Sequence, residues 1–274
     1  MRSLIVFFAC LAVCSGWFNS YKSPAWNNLK VKWNFTPFNG FFTMPRTVAD
    51  AVSNNFVKVS DCDVNAPWRG ARYIKNGDYA LTLLYDINGY VAGIQTGIPK
   101  KLANGFPFPS LRPPFVSDGD RWALTAYFTD PGTICTTGRS EAQFNEEGTG
   151  TNLYFQNSTT PEASFKIPQN EADMAATQWT EGKCFVTMGK HWWYNLSVDM
   201  KKESMFPAFL LFNGGKLNGF GWAMTTPLPS EIYEHPPLSS YKLFMKEVPK
   251  FLAEVETIST LHIFLTKYQI ANFC

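Results

Sequence analysis

The chain has 274 residues, a net charge of +2, and 45% hydrophobic against 17% charged residues. This composition supplies a sizeable core and excludes an intrinsically disordered protein. No dense run of Lys and Arg occurs, which excludes the basic surface of a nucleic-acid-binding protein. Aromatic residues reach 16%, which favours strands packed on strands or an aromatic-lined cavity.

The first residues predict a secretory signal peptide over residues 1–16. Met1-Arg2-Ser3 carries a positive charge, residues 4–13 are apolar, and Cys14-Ser15-Gly16 supplies small residues before a cleavage site at Trp17. The apolar run is too short to span a bilayer, and no later run approaches the required length. We therefore expect a secreted, extracellular protein without a membrane span.

The remaining cysteines and three sequons fit the same compartment. An even set of cysteines in an oxidising compartment predicts two disulfide bonds, although four cysteines allow three connectivities. Pairing the first with the second and the third with the fourth gives each half of the chain the same internal bridge and is favoured, while exchanged pairs between the halves remain open. The cysteines are Cys62, Cys135, Cys184 and Cys274, and the predicted N-glycosylation sites are Asn34, Asn157 and Asn195.

An internal repeat organises the chain after the signal peptide. Residues 34–50 and 157–173 share identical residues at a constant spacing, and each half ends on a cysteine. The sequence therefore predicts two tandem copies, over 17–140 and 141–274, that either fold independently or pack as one unit. A polar, Gly-containing stretch at 138–151 is predicted to link them. The residues of copy one that recur unchanged in copy two are Asn34, Thr36, Phe42, Pro45, Ala49 and Asp50.

Each copy carries the same predicted elements. A strand leads to a short helix, at 45–54 in copy one and 168–178 in copy two, with a proline at its start. A hairpin follows, with type I′ turns predicted at Asn88-Gly89 and Asn218-Gly219. This order predicts a β-rich α+β fold in which two tandem pseudo-symmetric copies each pack a short helix on an antiparallel sheet, stapled by disulfides.

The histidines give the strongest indication of a functional site, because all three lie in the second copy. His191 precedes two tryptophans and a tyrosine, and His235 lies on the loop after the hairpin. Functional residues are frequent on such loops, and imidazole suits general acid–base chemistry. We therefore take His191 and His235 as candidate catalytic residues, and His262, inside an apolar strand, as a weaker candidate.

Aromatic side chains near these histidines are the candidate ligand-binding residues. They combine apolar area with a polar atom, as pocket-lining residues do. No zinc-ligand spacing, phosphate loop, dinucleotide fingerprint or nucleophile motif is present, so neither a metal nor a cofactor is predicted. The candidate ligand-binding residues are Trp192, Trp193, Tyr194 and Trp222.

Three functions are compatible with these patterns. The first is a secreted glycoprotein that binds a small, largely apolar or aromatic molecule in an aromatic-rich pocket. The second is a secreted cofactor-independent enzyme that uses a histidine general base for hydrolysis or for oxidation of an apolar substrate, luciferase-type chemistry included. The third is an extracellular interaction or matrix protein. The sequence leaves open the ligand, the oligomeric state and whether the protein is an enzyme.

Overall fold

The computed structural model describes residues 24–34 and 40–274, so the predicted signal peptide lies outside the described residues. The described part is rich in antiparallel strands, with short helices between them. The strands are β1 (Lys30–Val31), β2 (Phe42–Thr43), β3 (Phe56–Ser60), β4 (Ala71–Lys75), β5 (Asp78–Tyr85), β6 (Val91–Pro99), β7 (Val116–Asp118), β8 (Arg121–Tyr127), β9 (Leu153–Phe155), β10 (Phe165–Ile167), β11 (Trp179–Phe185), β12 (Gly189–Tyr194), β13 (Ala208–Asn213), β14 (Lys216–Met224) and β15 (Ser259–Phe264).

The α-helices of the described chain are short. They are α1 (Val48–Ser53), α2 (Pro131–Ile134) and α3 (Glu141–Glu147). The 3-10 helices are Pro109–Leu111, Pro161–Ala163, Glu171–Ala176, Lys202–Ser204, Leu238–Leu243, Lys250–Ala253 and Gln269–Ala271. The expectation of a β-rich protein with antiparallel sheets, few helices and two disulfides is confirmed.

The strands form two antiparallel sheets, and both halves of the chain contribute to each. The first sheet has the order β10-β9-β8-β6-β5-β4-β3, with β7 also paired to β8. The second sheet has the order β11-β12-β13-β14-β15-β1-β2. Strands β9 and β10 follow residue 140 yet extend the first sheet, and β1 and β2 precede it yet extend the second. The two halves therefore share both sheets.

The main core lies between the two sheets. Successive residues of a strand point to opposite faces, so every second side chain of each central strand enters this core. Trp222 and Phe220 of β14, Tyr85 of β5 and Phe155 of β9 are fully buried there. Complete burial of a large apolar side chain stabilises the fold by about 1.5–3 kcal/mol relative to exposure.

A second apolar layer covers the outer face of the second sheet. Phe209, Leu211 and Phe264, which alternate with the inward-facing residues of β13 and β15, pack against Tyr241 and Met245. The last two belong to the segment between β14 and β15, which carries two 3-10 helices. This segment encloses the space that forms the candidate site.

The first predicted hairpin turn is present, with a different geometry. Asn88-Gly89 connects β5 to β6, and the Gly89 N–H donates to the Asp86 carbonyl at 2.9 Å. Of the two residues only Gly89 has a positive φ, +87°. A type I′ turn needs positive φ at both central residues, so the turn is instead built with a single left-handed glycine.

The prediction of a turn at Asn218-Gly219 is wrong. These two residues lie within β14, and the turn is Gly214-Gly215, with φ angles of +56° and +72°. Glycine adopts positive φ without a Cβ penalty, so Gly214-Gly215 suits a type I′ turn as Asn-Gly does, and the pairing of β13 with β14 places the turn there.

The predicted helices also differ from the structure. Helix α1 begins after Thr47, whose side chain accepts from the Asp50 N–H at 3.1 Å, so Pro45 is not helical. The second predicted helix is the 3-10 helix Glu171–Ala176. Residues 138–151, predicted to link the two halves, contain α3, which Ser140 and Gln143 cap with a reciprocal capping box.

The structure contains two disulfides, one beside each sheet. Cys62 joins Cys135 next to Leu84, Ala92 and Tyr127 of the first sheet, and Cys184, on the edge strand β11 of the second sheet, joins Cys274. This is the favoured connectivity, in which each half of the chain carries its own bridge. The bridges close loops of 73 and 90 residues, and the closure of long loops restricts the unfolded chain.

A buried carboxylate stabilises the first hairpin. Asp86 accepts from the N–H groups of Asn88 and Tyr90, both at 3.0 Å, and from the Arg139 N–H at 3.1 Å. It also pairs with the Arg139 guanidinium at 3.6 Å. Burial lowers the pKa of that guanidinium, although Asp86 and Glu147 oppose the effect.

Replacing Asp86 by alanine is expected to lower the free energy of unfolding by about 3–5 kcal/mol, because it removes one carboxylate partner of the buried Arg139 guanidinium and the acceptor of three N–H groups. Denaturation by guanidinium chloride measures the change. Asp61→Ala is the matched control, because the exposed pair of Asp61 with Lys58 is expected to contribute nothing measurable. Equal midpoints for the two variants would show that the Asp86 contacts do not stabilise the fold.

Candidate functional site

A cavity of about 280 Å³ lies on the outer face of the second sheet, under the segment between β14 and β15. Its wall is mostly apolar. The aromatic and aliphatic lining includes Trp33, Phe185, Trp193, Phe209, Phe244 and Met245. An apolar cavity with a few convergent polar groups is the usual form of a small-molecule site.

Strand alternation decides which predicted aromatic residues reach this cavity. On β12, His191 and Trp193 point to the outer face and line the cavity. Trp192 points to the core between the sheets, where its indole N–H donates to Glu171 Oε1 at 3.0 Å. Tyr194 lies on that same opposite face and borders a separate groove. Of these three aromatic residues, only Trp193 lies at the cavity.

Trp222 is also remote from the cavity. It lies on β14 opposite Ala208 and Leu261, and its side chain is fully buried between the two sheets. The next residue, Ala223, belongs to the outer layer instead. The structure therefore places Trp222 in the main core.

All three histidines line the cavity. The rings of His191 and His262 meet edge to face, with centroids 6.2 Å apart. Phe209 lies beside both, at 5.4 Å from His191 and 4.9 Å from His262. His235 lies further out, on the exposed segment that follows β14. The second half thus brings its histidines together around one aromatic ring.

His262 is held by a buried carboxylate. Glu234 pairs with Thr260 through backbone hydrogen bonds, which brings its side chain beside β15. One carboxylate oxygen accepts a short hydrogen bond from His262 Nδ1 and a bond of 3.0 Å from the Thr260 hydroxyl. The other accepts from the Trp33 N–H at 2.6 Å. Only 12% of the Glu234 side chain and 7% of His262 are exposed.

These contacts keep Glu234 ionised. Burial by itself opposes ionisation, but the charge of His262, its hydrogen bond, and the N–H groups of Trp33 and His262 together lower the pKa of the carboxyl. Hydrogen bonds to the charged form of a carboxylate favour that form. Glu234 is therefore an anion that fixes the orientation of the His262 ring.

The second ring nitrogen of His262 is the unusual atom of the site. Nε2 is buried and has no hydrogen-bond partner among the described residues. A buried polar atom without a partner costs about 1–3 kcal/mol, so such atoms are rare unless a water or a ligand satisfies them. Because Glu234 occupies Nδ1, Nε2 is the nitrogen of His262 that remains for a bound molecule.

His191 has a different role from its neighbour. It is 2% exposed, and its Nδ1 lies 3.3 Å from the Lys183 carbonyl oxygen. Burial lowers the pKa of His191 to about 3, and the charge of His262 acts in the same direction. The ring is therefore neutral near pH 7 and serves as part of the aromatic wall.

This burial predicts a pH dependence of stability. The unfolded chain binds a proton at His191 below the ordinary pKa of 6.5, whereas the folded protein does so only near 3. The contribution of neutral His191 to the free energy of unfolding is fully present above pH 6.5. It is lost as the pH falls, because unfolding then takes up a proton at this residue. Between pH 6.5 and 4.5, the native protein is expected to lose roughly 2–3 kcal/mol more than His191→Phe.

Urea denaturation at a series of pH values tests this expectation. Protonation of Glu234 affects the free energy of unfolding at lower pH, because the pKa of this carboxyl in the folded protein lies below the ordinary value of 4.5. Parallel stability curves for the native protein and His191→Phe between pH 6.5 and 4.5 would contradict the assignment.

His235 lies at the rim rather than inside the cavity. Its ring is on the exposed segment, and its Nε2 lies 3.1 Å from the Ser259 hydroxyl oxygen. That hydroxyl donates to the Thr226 carbonyl at 2.8 Å and accepts from the Leu228 N–H at 2.9 Å. Ser259 is thus a structural hydroxyl that His235 caps.

Gly221 leaves room for the ring of Phe209, which lies beside His191 and His262. A Cβ at Gly221 would lie 2.1 Å from the Phe209 ring, so only glycine fits at this position. Gly221 pairs with His262 on the next strand. At the matching register of the first sheet, Gln95 pairs with Thr125 and donates to its hydroxyl at 2.8 Å. The first sheet therefore has a polar cluster where the second has an aromatic cavity.

The other predicted sites are distributed over the surface. Asn157 and Asn195 are exposed, and Asn34 borders the cavity, with the rest of its sequon outside the described residues. Within residues 24–34 and 40–274, no group of three or more His, Cys, Asp or Glu is placed to hold a metal ion. The same residues include no helix that is long and apolar enough to cross a membrane.

The sequence matches no protein-family model and no curated protein, and the fold matches no solved structure. The proposed function therefore rests on the geometry of the cavity.

Proposed function

We propose that this protein is a secreted glycoprotein that binds a small aromatic molecule with a hydroxyl group in the cavity on the second sheet. The observation that carries the proposal is the buried Nε2 of His262, which has no partner among the described residues. A ligand hydroxyl can serve this nitrogen in either protonation state, because a hydroxyl both donates and accepts. Two disulfides favour an oxidising compartment.

The size of the cavity supports a ligand of one or two rings. Its volume of about 280 Å³ exceeds the roughly 150 Å³ that holds benzene. It is just below the roughly 300–1,000 Å³ that hold drug-sized molecules. The flat rings of Trp193, Phe209 and Phe244 offer the faces and edges against which aromatic ligands pack.

The histidine-rich wall also supports a specialised second copy. In each sheet, the antiparallel strands of one half of the chain are extended at one end by two strands from the other half. A duplicated chain whose two copies exchange their first strands would have this arrangement. Only the second sheet carries the Glu234–His262 pair and the covering segment. We place the binding function in the second copy and the scaffold function in the first.

Two probes of nearly equal shape test the proposal. Calorimetry should show that 2-naphthol binds more tightly than naphthalene by roughly 10–100-fold, since a hydrogen bond to a charged pair contributes about 1.5–3 kcal/mol. The double variant Glu234→Leu/His262→Leu removes both partners and leaves no buried charge unpaired, so it is expected to fold. In this variant the preference for 2-naphthol should disappear.

The matched control is His235→Leu, which alters only the rim and should keep the preference. Equal affinities of native protein for 2-naphthol and naphthalene would contradict the hydrogen bond to His262. Binding of neither probe would contradict the pocket, and would favour the interaction-protein function.

A second candidate function is general-base catalysis on a substrate of the same class. The carboxylate of Glu234 orients His262 and stabilises its positive charge, as the acidic member of a catalytic triad does for its histidine. In the base step the substrate O–H bond breaks, its proton passes to Nε2, and the aryl oxygen keeps the electron pair. This assigns to His262 the role of base that the sequence suggests for His191 or His235.

The absorption spectrum of bound 2-naphthol separates binding from base chemistry. Proton transfer should produce the naphtholate spectrum at pH 7, where free 2-naphthol is neutral, and His235→Leu should not change it. A neutral spectrum at saturation would show that the proton of the bound molecule does not pass to Nε2 in the resting complex, while leaving the binding function intact.

A further inference from the structure

A second cleft, of about 540 Å³, lies at the end of the second sheet where β13 turns into β14. It is bordered by residues 25–27, by the start of β14 and by residues 266–272. It shares no lining residue with the cavity that contains the histidines. It is therefore a separate candidate site.

The chemistry of this cleft is dominated by amides. Two lysines, Lys216 and Lys267, also line it, and no Asp or Glu does so among the described residues. Each amide side chain carries both donors and an acceptor. The amide residues of the lining are Asn27, Gln169, Asn170, Asn213, Asn218 and Asn272.

Three of these amides have buried atoms without a partner in the described part of the chain. They are the side-chain oxygens of Asn27 and Asn218 and the side-chain nitrogen of Gln169. The Asn218 side chain is nine-tenths buried or more, at 5% exposed. Two unpaired acceptors and one unpaired donor around one cleft call for a molecule that both donates and accepts.

The remaining hydrogen bonds hold the amides in place. Asn218 donates to the Asn272 side chain at 2.9 Å, and Lys216 donates to the Asn170 side chain at 2.5 Å. These contacts orient the side chains before any ligand enters, which reduces the entropy lost on binding.

An exposed aromatic ring borders the same cleft. Tyr268 is 63% exposed, and the ammonium group of Lys267 lies 5.3 Å from the centre of its ring. An exposed ring beside polar groups offers an apolar face for stacking together with hydrogen-bonding neighbours.

We propose that this amide-lined cleft binds a saccharide. A pyranose ring presents several hydroxyls, which satisfy donors and acceptors together, and an apolar C–H face, which fits the ring of Tyr268. The two lysines and the absence of carboxylates from the described lining disfavour a cationic ligand. The proposal is independent of the aromatic ligand in the other cavity.

Saturation-transfer difference NMR on the enzymatically deglycosylated, full mature protein tests this proposal. The probes are the methyl glycosides of glucose, galactose, N-acetylglucosamine and glucuronic acid. At least one is expected to give a signal that falls at least five-fold in Gln169→Leu and in Tyr268→Ala. Phe42→Ala is the matched control, because Phe42 is a similarly exposed aromatic residue outside the cleft, and should keep the signal.

Absence of a signal from every glycoside, or a signal equal in Gln169→Leu and the native protein, would overturn the proposal. Gln169→Leu keeps the backbone bond from the Leu217 N–H to the Gln169 carbonyl. Its thermal unfolding is expected to match that of the native protein, so a lost signal reports on binding.

Discussion

Replacing Glu234 by leucine is expected to lower the free energy of unfolding by about 3–5 kcal/mol, the usual result of removing one partner of a buried pair. The variant removes the carboxylate that accepts from the His262 imidazole, the Trp33 N–H and the Thr260 hydroxyl. Guanidinium denaturation at pH 7 measures the change. The matched control is Glu231→Leu, because Glu231 is exposed on the same segment and should have no effect.

The double variant Glu234→Leu/His262→Leu separates charge from packing. It is expected to be more stable than Glu234→Leu alone, because no polar ring remains in the apolar space. A Glu234→Leu variant as stable as Glu231→Leu would show that the pair does not organise this part of the fold.

Replacing Ser240 by tryptophan is expected to weaken 2-naphthol binding by at least about 100-fold, or roughly 2.7 kcal/mol. Ser240 is half-buried and lines the cavity on the covering segment, so a large ring at this position fills the space that the ligand needs. Titration calorimetry of 2-naphthol measures the loss.

Ser239→Trp provides the control for this substitution. The neighbouring Ser239 is exposed and does not line the cavity, so its variant should bind 2-naphthol as the native protein does. Undiminished binding in Ser240→Trp would place the ligand elsewhere on the protein.

Local patterns in the sequence predict much of the scaffold. Alternating apolar residues and turn signals predict the central strands, because these depend on neighbours within a few residues. The presence of one cysteine pair in each half of the chain favours the observed disulfides. The second hairpin is misplaced, because Asn218-Gly219 has the same turn signal as Gly214-Gly215, and only strand pairing decides between them.

The candidate site is harder to predict because it depends on which sheet face is covered. Alternation predicts that Trp192 and Trp193 point in opposite directions, but not which of them meets the covering segment. The histidines lie in the half of the chain that forms most of the cavity, with His191 and His262 in its wall and His235 at its rim. Gly221 beside the aromatic strand β13 is a usable signal, since glycine in a strand often marks a close approach.

The central pair of the site joins residues that are distant along the chain. Glu234 reaches His262 because it pairs with Thr260 across the edge of β15. No spacing rule links a loop carboxylate to a histidine in a later strand. The orphaned Nε2 of His262 appears only when burial and hydrogen bonding are known together.

The most direct test of a ligand contact at His262 Nε2 is the ¹⁵N spectrum of the histidine side chains, recorded with and without 2-naphthol. The chain has only three histidines, and leucine or phenylalanine variants assign each signal. We expect the Nε2 signal of His262 to shift on saturation with 2-naphthol and to shift less with naphthalene. An unchanged His262 signal at saturation would contradict the proposal that this nitrogen holds the ligand.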